Sequence, residues 1–123
     1  MKSRAEIGRI GEDAAAAWLQ RHGHRIISRN WRSGRVELDI VSEDNRGIHF
    51  VEVKTRKAPV MADPSVNVDY VKRRHLVRAA QNYLHSLSGG AGAEVFFDII
   101  TVVLDGDGAE INYYQQAFIP LYV

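Results

Sequence analysis

The chain has 123 residues, 46% hydrophobic and 25% charged, with ten glycines, three prolines and no cysteine. That composition suits one domain with a real core and argues against a disordered chain. No apolar run approaches the 18 residues of a membrane helix, and without cysteine there is no disulfide framework, thiolate nucleophile or zinc–thiolate site.

The N-terminal segment MKSRAEIGRIGED turns acidic where a signal peptide needs its apolar stretch, so a soluble, cytoplasmic protein is expected. A helix is predicted from Ser3 to His22. Ser3 and Glu6 have capping-box spacing, Ile7, Ile10, Ala14 and Trp18 fall on one face, and Gly23 is the stop. Residues 24–32 read as a strand and Ser33-Gly34 as a tight turn. RVELDIVS (35–42) alternates, with Val36, Leu38 and Ile40 on one face and Glu37 and Asp39 on the other. After the turn EDNRG, IHFVEVKT (48–55) forms a third strand.

From Arg56 to Val66 an exposed loop is expected, carrying Pro59, Asp63 and Pro64. A second helix should run from Asn67 or Asp69 to Leu87, burying Val71, Leu76, Ala79, Ala80, Tyr83 and Leu84, and SGGAG should break it. EVFFDIITVVL (94–104) is the most apolar segment and reads as a central, covered strand. DGDG turns the chain into a short last strand, EINYYQQAF. The order α-β-β-β-α-β-β describes an α/β fold: three antiparallel strands, then a helical crossover to a parallel one in a mixed sheet.

Charge is segregated along this order. Residues 1–35 carry +5, residues 36–53 carry −4, residues 54–78 carry +5, and residues 79–123 carry −5 with no Lys or Arg at all. Such polarisation suits a polyanionic partner. Lys72, Arg73, Arg74 and Arg78 make a one-sided basic helix suited to phosphate contacts.

The sheet itself contains a conflict. Glu37 and Asp39 in the second strand, Glu52 in the third and Asp98 in the fourth place carboxylates where strands are buried. Each costs several kcal/mol unless it is paired or bound to a metal. Two of them about 4 Å apart repel by roughly 4 kcal/mol at an effective dielectric of 20. Glu37-x-Asp39 followed by Glu52-x-Lys54 brings carboxylates from adjacent strands together with an ammonium on the same face as Glu52. An oxygen-only donor set favours a hard cation, magnesium or manganese, and such an ion suits phosphodiester hydrolysis. Lys54 could orient or deprotonate the attacking water or neutralise developing charge. The other reading is an ion-pair cluster at a sheet edge.

The segments GRIGEDAAAAWLQRHG (8–23), RNWR (29–32), VELDIV (36–41), FVEVKTR (50–56), KRRHLVRAAQNYL (72–84), FFDII (96–100) and QAF (116–118), in this order and spacing, resemble the YraN-like uncharacterised protein family. Members of that family look like Holliday-junction resolvases within the PD-(D/E)xK nuclease superfamily. The resemblance implies a restriction-endonuclease-like core, magnesium- or manganese-dependent cleavage of structured or branched DNA, and a two-fold homodimer. It also implies Asp39 and Glu52 as metal ligands, Lys54 as the catalytic lysine, and Glu12 as an acid contributed by the first helix. Glu12 lies beside Gly8 and Gly11, which would permit close approach to the sheet. Glu37 and Asp98 are expected to support the ligands, with a pairing to Arg35 open for Glu37 and a satisfied core carboxylate open for Asp98. The chain departs from the family pattern with Val36 where Gly usually precedes the first acid, and with Phe96 in place of an arginine. The histidines have no metal-ligand spacing and receive no role. Trp18 and Trp31 are read as core or partner-contact aromatics. The alternative to the nuclease is a non-catalytic nucleic-acid-binding module with the same fold.

Overall fold

The computed structural model describes residues 2–60, 68–87 and 94–119. Helix α1 (Arg4–Arg21) is followed by β1 (Arg25–Ser33), β2 (Val36–Glu43), β3 (Ile48–Lys57), α2 (Tyr70–Ser86), β4 (Val95–Asp105) and β5 (Gly108–Phe118). The strands form one sheet in the order β1-β2-β3-β4-β5, antiparallel except for the parallel β3–β4 pair. This is the predicted mixed α/β layout.

Two cores lie against the sheet. One joins Leu76, Ala79, Ala80 and Tyr83 of α2 to Leu38, Val41, Phe50, Phe97 and Ile99. The other joins Ala15, Ala16 and Leu19 of α1 to Ile40, Val51, Ile100 and Val102. Helix α1 begins as expected, with Ser3 and Glu6 forming a reciprocal capping box. Its buried ridge is made of Gly11, Ala15, Ala16 and Leu19, while Ile7, Ile10, Ala14 and Trp18 flank it half-buried. Small residues let the helix sit close. A Cβ on Gly11 would collide with the Thr55 side chain of β3, whereas Gly8 faces open space.

Three expectations change away from the site. Val71 is 60% exposed, because the α2 stripe runs Leu76, Ala79, Ala80, Tyr83 and leaves Val71 outside its arc. Strand β5 is long rather than short: its eleven residues run alongside β4 from Asp105–Gly108 to Phe97–Phe118. Strand β3 extends to Lys57, since parallel pairing with β4 continues to Leu104. The rest of the expected 56–66 loop falls largely on residues 61–67, and SGGAG on 88–92, both outside the described residues.

The change that shapes the site lies in β2. Val36 and Leu38 pack toward α2, but Ile40 packs toward α1 with Val51, so the three do not share a face. The β2–β3 pairing ends at Ile40 opposite Val51. Beyond that pair the two strands part.

Candidate active site

The parting of β2 from β3 leaves the Val53 N–H without a partner from the β2 backbone. Asp39 Oδ2 accepts it at 2.9 Å. A backbone donor inside a sheet must be satisfied, and here a side chain takes the place of the ladder carbonyl. The Asp39 carboxyl is thereby fixed over the gap, with Glu37 two residues before it. Across from them, the close Gly11–Thr55 approach carries Glu12 to the same place. Carboxylate oxygens of Glu12, Glu37 and Asp39 lie within 4.8 Å of one another.

Burial and mutual repulsion set the protonation of this cluster. Burial pushes Asp39 up to about 7; the Val53 hydrogen bond opposes the rise, and Glu12, Glu52 and Glu37 add to it. Burial, then Glu37, also raises Glu12, while Arg29 works the other way. Asn30 stands in β1 at φ +54°, a left-handed conformation that asparagine tolerates better than most residues. With its amide nitrogen turned to the cluster, it reaches Glu37 Oε1 at 2.8 Å and Glu12 Oε1 at 2.8 Å. Glu37 Oε2 pairs with Arg32 at 3.0 Å, not with Arg35.

Glu52 is held differently. Its side chain is 12% exposed and ion-paired through Oε1 to Lys72 of α2, while Oε2 is buried with no hydrogen-bond partner. Lys54 senses both: burial lowers its ammonium, Glu52 raises it, and Lys72 and Arg56 lower it further. A cavity of about 440 Å³ opens at the strand gap, lined by Glu37, Asp39, Glu52, Lys72 and His75 among others. Of the residues read from the sequence, Glu12, Glu37 and Asp39 come together, Glu52 lines the same cavity as Glu37 and Asp39, and Lys54 is tied to them through its electrostatic coupling to Glu52. Glu37 joins Glu12 and Asp39 at the centre, and Lys72 is committed to Glu52.

Two further expectations meet other surroundings. Asp98 is 1% exposed and accepts hydrogen bonds from the Tyr113 hydroxyl and the Gln116 N–H while pairing with His49 at 2.6 Å. Those partners make it a satisfied core carboxylate. On α2, Arg73 Nε donates to the Val68 carbonyl at 2.6 Å and its guanidinium lies over Phe118, whereas Arg74 lies over the exposed Tyr70 ring and Arg78 is exposed. Residue patterns did not assign Asn30, and they read Lys72 as a phosphate contact rather than as the partner of Glu52. A polar residue interrupting β1 is a weak signal for the first, and a lysine on a basic helix gives none for the second.

The sequence profile of the Uncharacterised protein family UPF0102 matches residues 11–102. The chain belongs to this family. Similar relatives include UPF0102 proteins of Bacteroides thetaiotaomicron, 41% identical over 120 residues and 98% of both chains, and of Nitratidesulfovibrio vulgaris, 43% identical over 116 residues, 94% of this chain and 86% of the relative. Another, from Lawsonia intracellularis, is 39% identical over 118 residues, 96% of this chain and 88% of the relative. The segment of this UPF0102 protein that matches the family profile contains Glu12, Asn30, Glu37, Asp39, Glu52, Lys54 and Lys72. The YraN-like resemblance thus holds at the level of the family.

Proposed function

We propose that this UPF0102 protein is a metal-dependent DNA endonuclease acting on structured or branched DNA. The observation that carries the reading is Asp39 at the β2–β3 gap. It is anchored by the Val53 N–H, crowded by Glu12 and Glu37, and raised to about 7 with Glu52 contributing. Crowding of carboxylates in this way is costly, and a bound cation would relieve it. The buried Glu52 Oε2, which lacks a partner, fits the same need. Glu12, Asp39 and Glu52, with Glu37 beside them, are the residues that would hold Mg2+ or Mn2+. The bound ion would lower the pKa of a water and neutralise charge on the scissile phosphate.

The chain's own groups do the rest. Asp39, raised to about 7 by burial and so still partly protonated near neutrality, would give up that proton as a cation is held. Lys54, its ammonium destabilised by burial and by Lys72 and Arg56, orients the attacking water or takes its proton at Nζ. Asn30 holds the Glu12 and Glu37 carboxylates in register. Arg74 and Arg78 supply phosphate contacts that position the duplex. Two copies about a two-fold axis would cut the two strands of a junction.

The Lys72–Glu52 pair favours one alternative, a binding module in which an ammonium occupies the place of the cation. Incubation with branched, flapped and linear DNA in Mg2+ or Mn2+ separates the readings. The nuclease reading expects metal-dependent nicking by the parent and none by Glu52→Gln or Asp39→Asn. DNA binding without cleavage in either metal supports the module instead. Equal residual cleavage in parent and variants marks a contaminant and overturns the assignment.

A further inference from the structure

Lys72 is the third residue of α2 and stands one turn before the buried Leu76, so it shares the helix face turned to the sheet. It lines the cavity at the strand gap together with Glu37, Asp39 and Glu52, whereas Arg74 and Arg78 do not.

The ion pair that Lys72 forms with Glu52 is uneven. The Glu52 side chain is 12% exposed and that of Lys72 is 52% exposed. The carboxylate is thus set into the sheet, on a residue of the parallel β3–β4 ladder opposite Ile99, while much of the lysine stays in water. The lysine backbone is fixed. Its N–H donates to the Asp69 carboxylate at 2.9 Å, and the Arg73 N–H donates to the Asp69 carbonyl at 2.9 Å. Beyond that anchor runs a flexible four-carbon stem. Of the two partners, the ammonium is the one free to leave.

The pair also leaves Glu52 half-served. Lys72 meets Oε1, and Oε2 stays buried without a hydrogen-bond partner. A single ammonium does not balance Glu52 together with Glu37 and Asp39 on the same cavity wall. Nor can it share the Glu52 carboxylate with a divalent cation, because the two positive charges repel at contact distance.

We infer that Lys72 is an exchangeable stand-in for the metal: it holds Glu52 in the metal-free protein, leaves when the carboxylates hold a divalent cation, and then turns its ammonium to a DNA phosphate at the cavity mouth. This rests on the reading of the cluster as a metal site and adds a coupling between that site and DNA. The ion pair competes with the metal for Glu52 and withholds a positive charge from the phosphate. Metal and DNA therefore promote each other's binding by the same factor, as linkage requires. Lys72 is a positioning residue, acting on the metal through Glu52.

The test measures binding, with no cleavage readout. Mn2+ affinity of the full chain is followed by the EPR signal of the free ion. Lys72→Gln should bind Mn2+ about 5–30-fold tighter than the parent, the factor expected when a half-exposed competing ion pair is removed. The gain should be much smaller in a Glu52→Gln background. With Ca2+ in place of Mg2+, the log–log salt slope of duplex binding should be steeper in the parent than in Lys72→Gln by roughly 0.9, and without a divalent cation the two slopes should agree. Should Lys72→Gln fold poorly, NMR of the parent's lysine side chains serves, and Mg2+ must shift the Lys72 signal. Equal or weaker Mn2+ binding by Lys72→Gln overturns the exchange and leaves the metal site standing. An equal gain in the Glu52→Gln background, slopes that never differ, or an unmoved Lys72 signal in a Mg2+-loaded parent overturn it as well. Mn2+ binding by neither protein overturns the metal reading, and the exchange with it.

Discussion

Asp39 and Val53 meet across strands that have ceased to pair, the carboxylate oxygen 2.9 Å from the amide nitrogen. That bond holds a buried acid among three other acids. Stability of the metal-free protein should therefore depend on Asp39 in a definite direction. Its folded pKa of about 7 exceeds the ordinary 3.8, so the folded state keeps a proton that the unfolded chain has lost. The Asp39 contribution is fully present below about pH 4 and declines as pH rises toward 7. Denaturant melts at pH 5 and 7.5 should show a smaller loss in Asp39→Asn than in the parent. A parallel decline in both would mean that Asp39 is ionised without cost. Mg2+ at a hundredfold excess over Kd should add about 2.7 kcal/mol to the parent and much less to the variant.

Gly11 should tolerate no side chain. Gly11→Ala places a methyl against Thr55 and should cost about 1–3 kcal/mol, although alanine favours helix in isolation. Thr55→Ala in the same chain should recover part of that loss, because two of the three crowding atoms are removed. Additive losses would show that the two positions do not press on each other.

Removing Lys72 should expose the cost of Glu52. Lys72→Met leaves a largely buried carboxylate without its cation and should destabilise the metal-free protein by about 1–2 kcal/mol, since the lysine end is half-exposed. Pairing it with Glu52→Gln should restore most of the stability. Melts of the two single variants and the double variant provide the coupling energy, and a value near zero would make the pair a surface contact of no consequence.

DNA affinity should follow Arg74 and Arg78. Replacing either with Ala should weaken binding of all duplex sequences about equally and reduce the log–log salt slope by roughly 0.9 per lost phosphate contact. Arg73→Ala should also disturb the start of α2, because Arg73 holds the Val68 carbonyl. Unchanged slopes for Arg74 and Arg78 would move the DNA surface elsewhere, with the N-terminal arginines next to be tested.

The order of elements, the capping box at Ser3, the mixed pairing and the carboxylates of β2 and β3 were all legible in the residues, because periodicity and capping are local and repeat along the chain. The family was legible too, since motif order and spacing are properties of the sequence itself. Tertiary structure decided the rest. Alternation placed Ile40 with Leu38, but β2 joins β3 only from Ile40 onward and changes face there, and nothing within the strand records where that pairing starts. Lys72 belongs to Glu52, Asn30 with its amide nitrogen turned inward bridges Glu12 and Glu37, and His24 meets His49 only because the fold brings separate elements together. Such contacts depend on register and helix placement, which are set by the packing of the whole sheet rather than by any local run of residues.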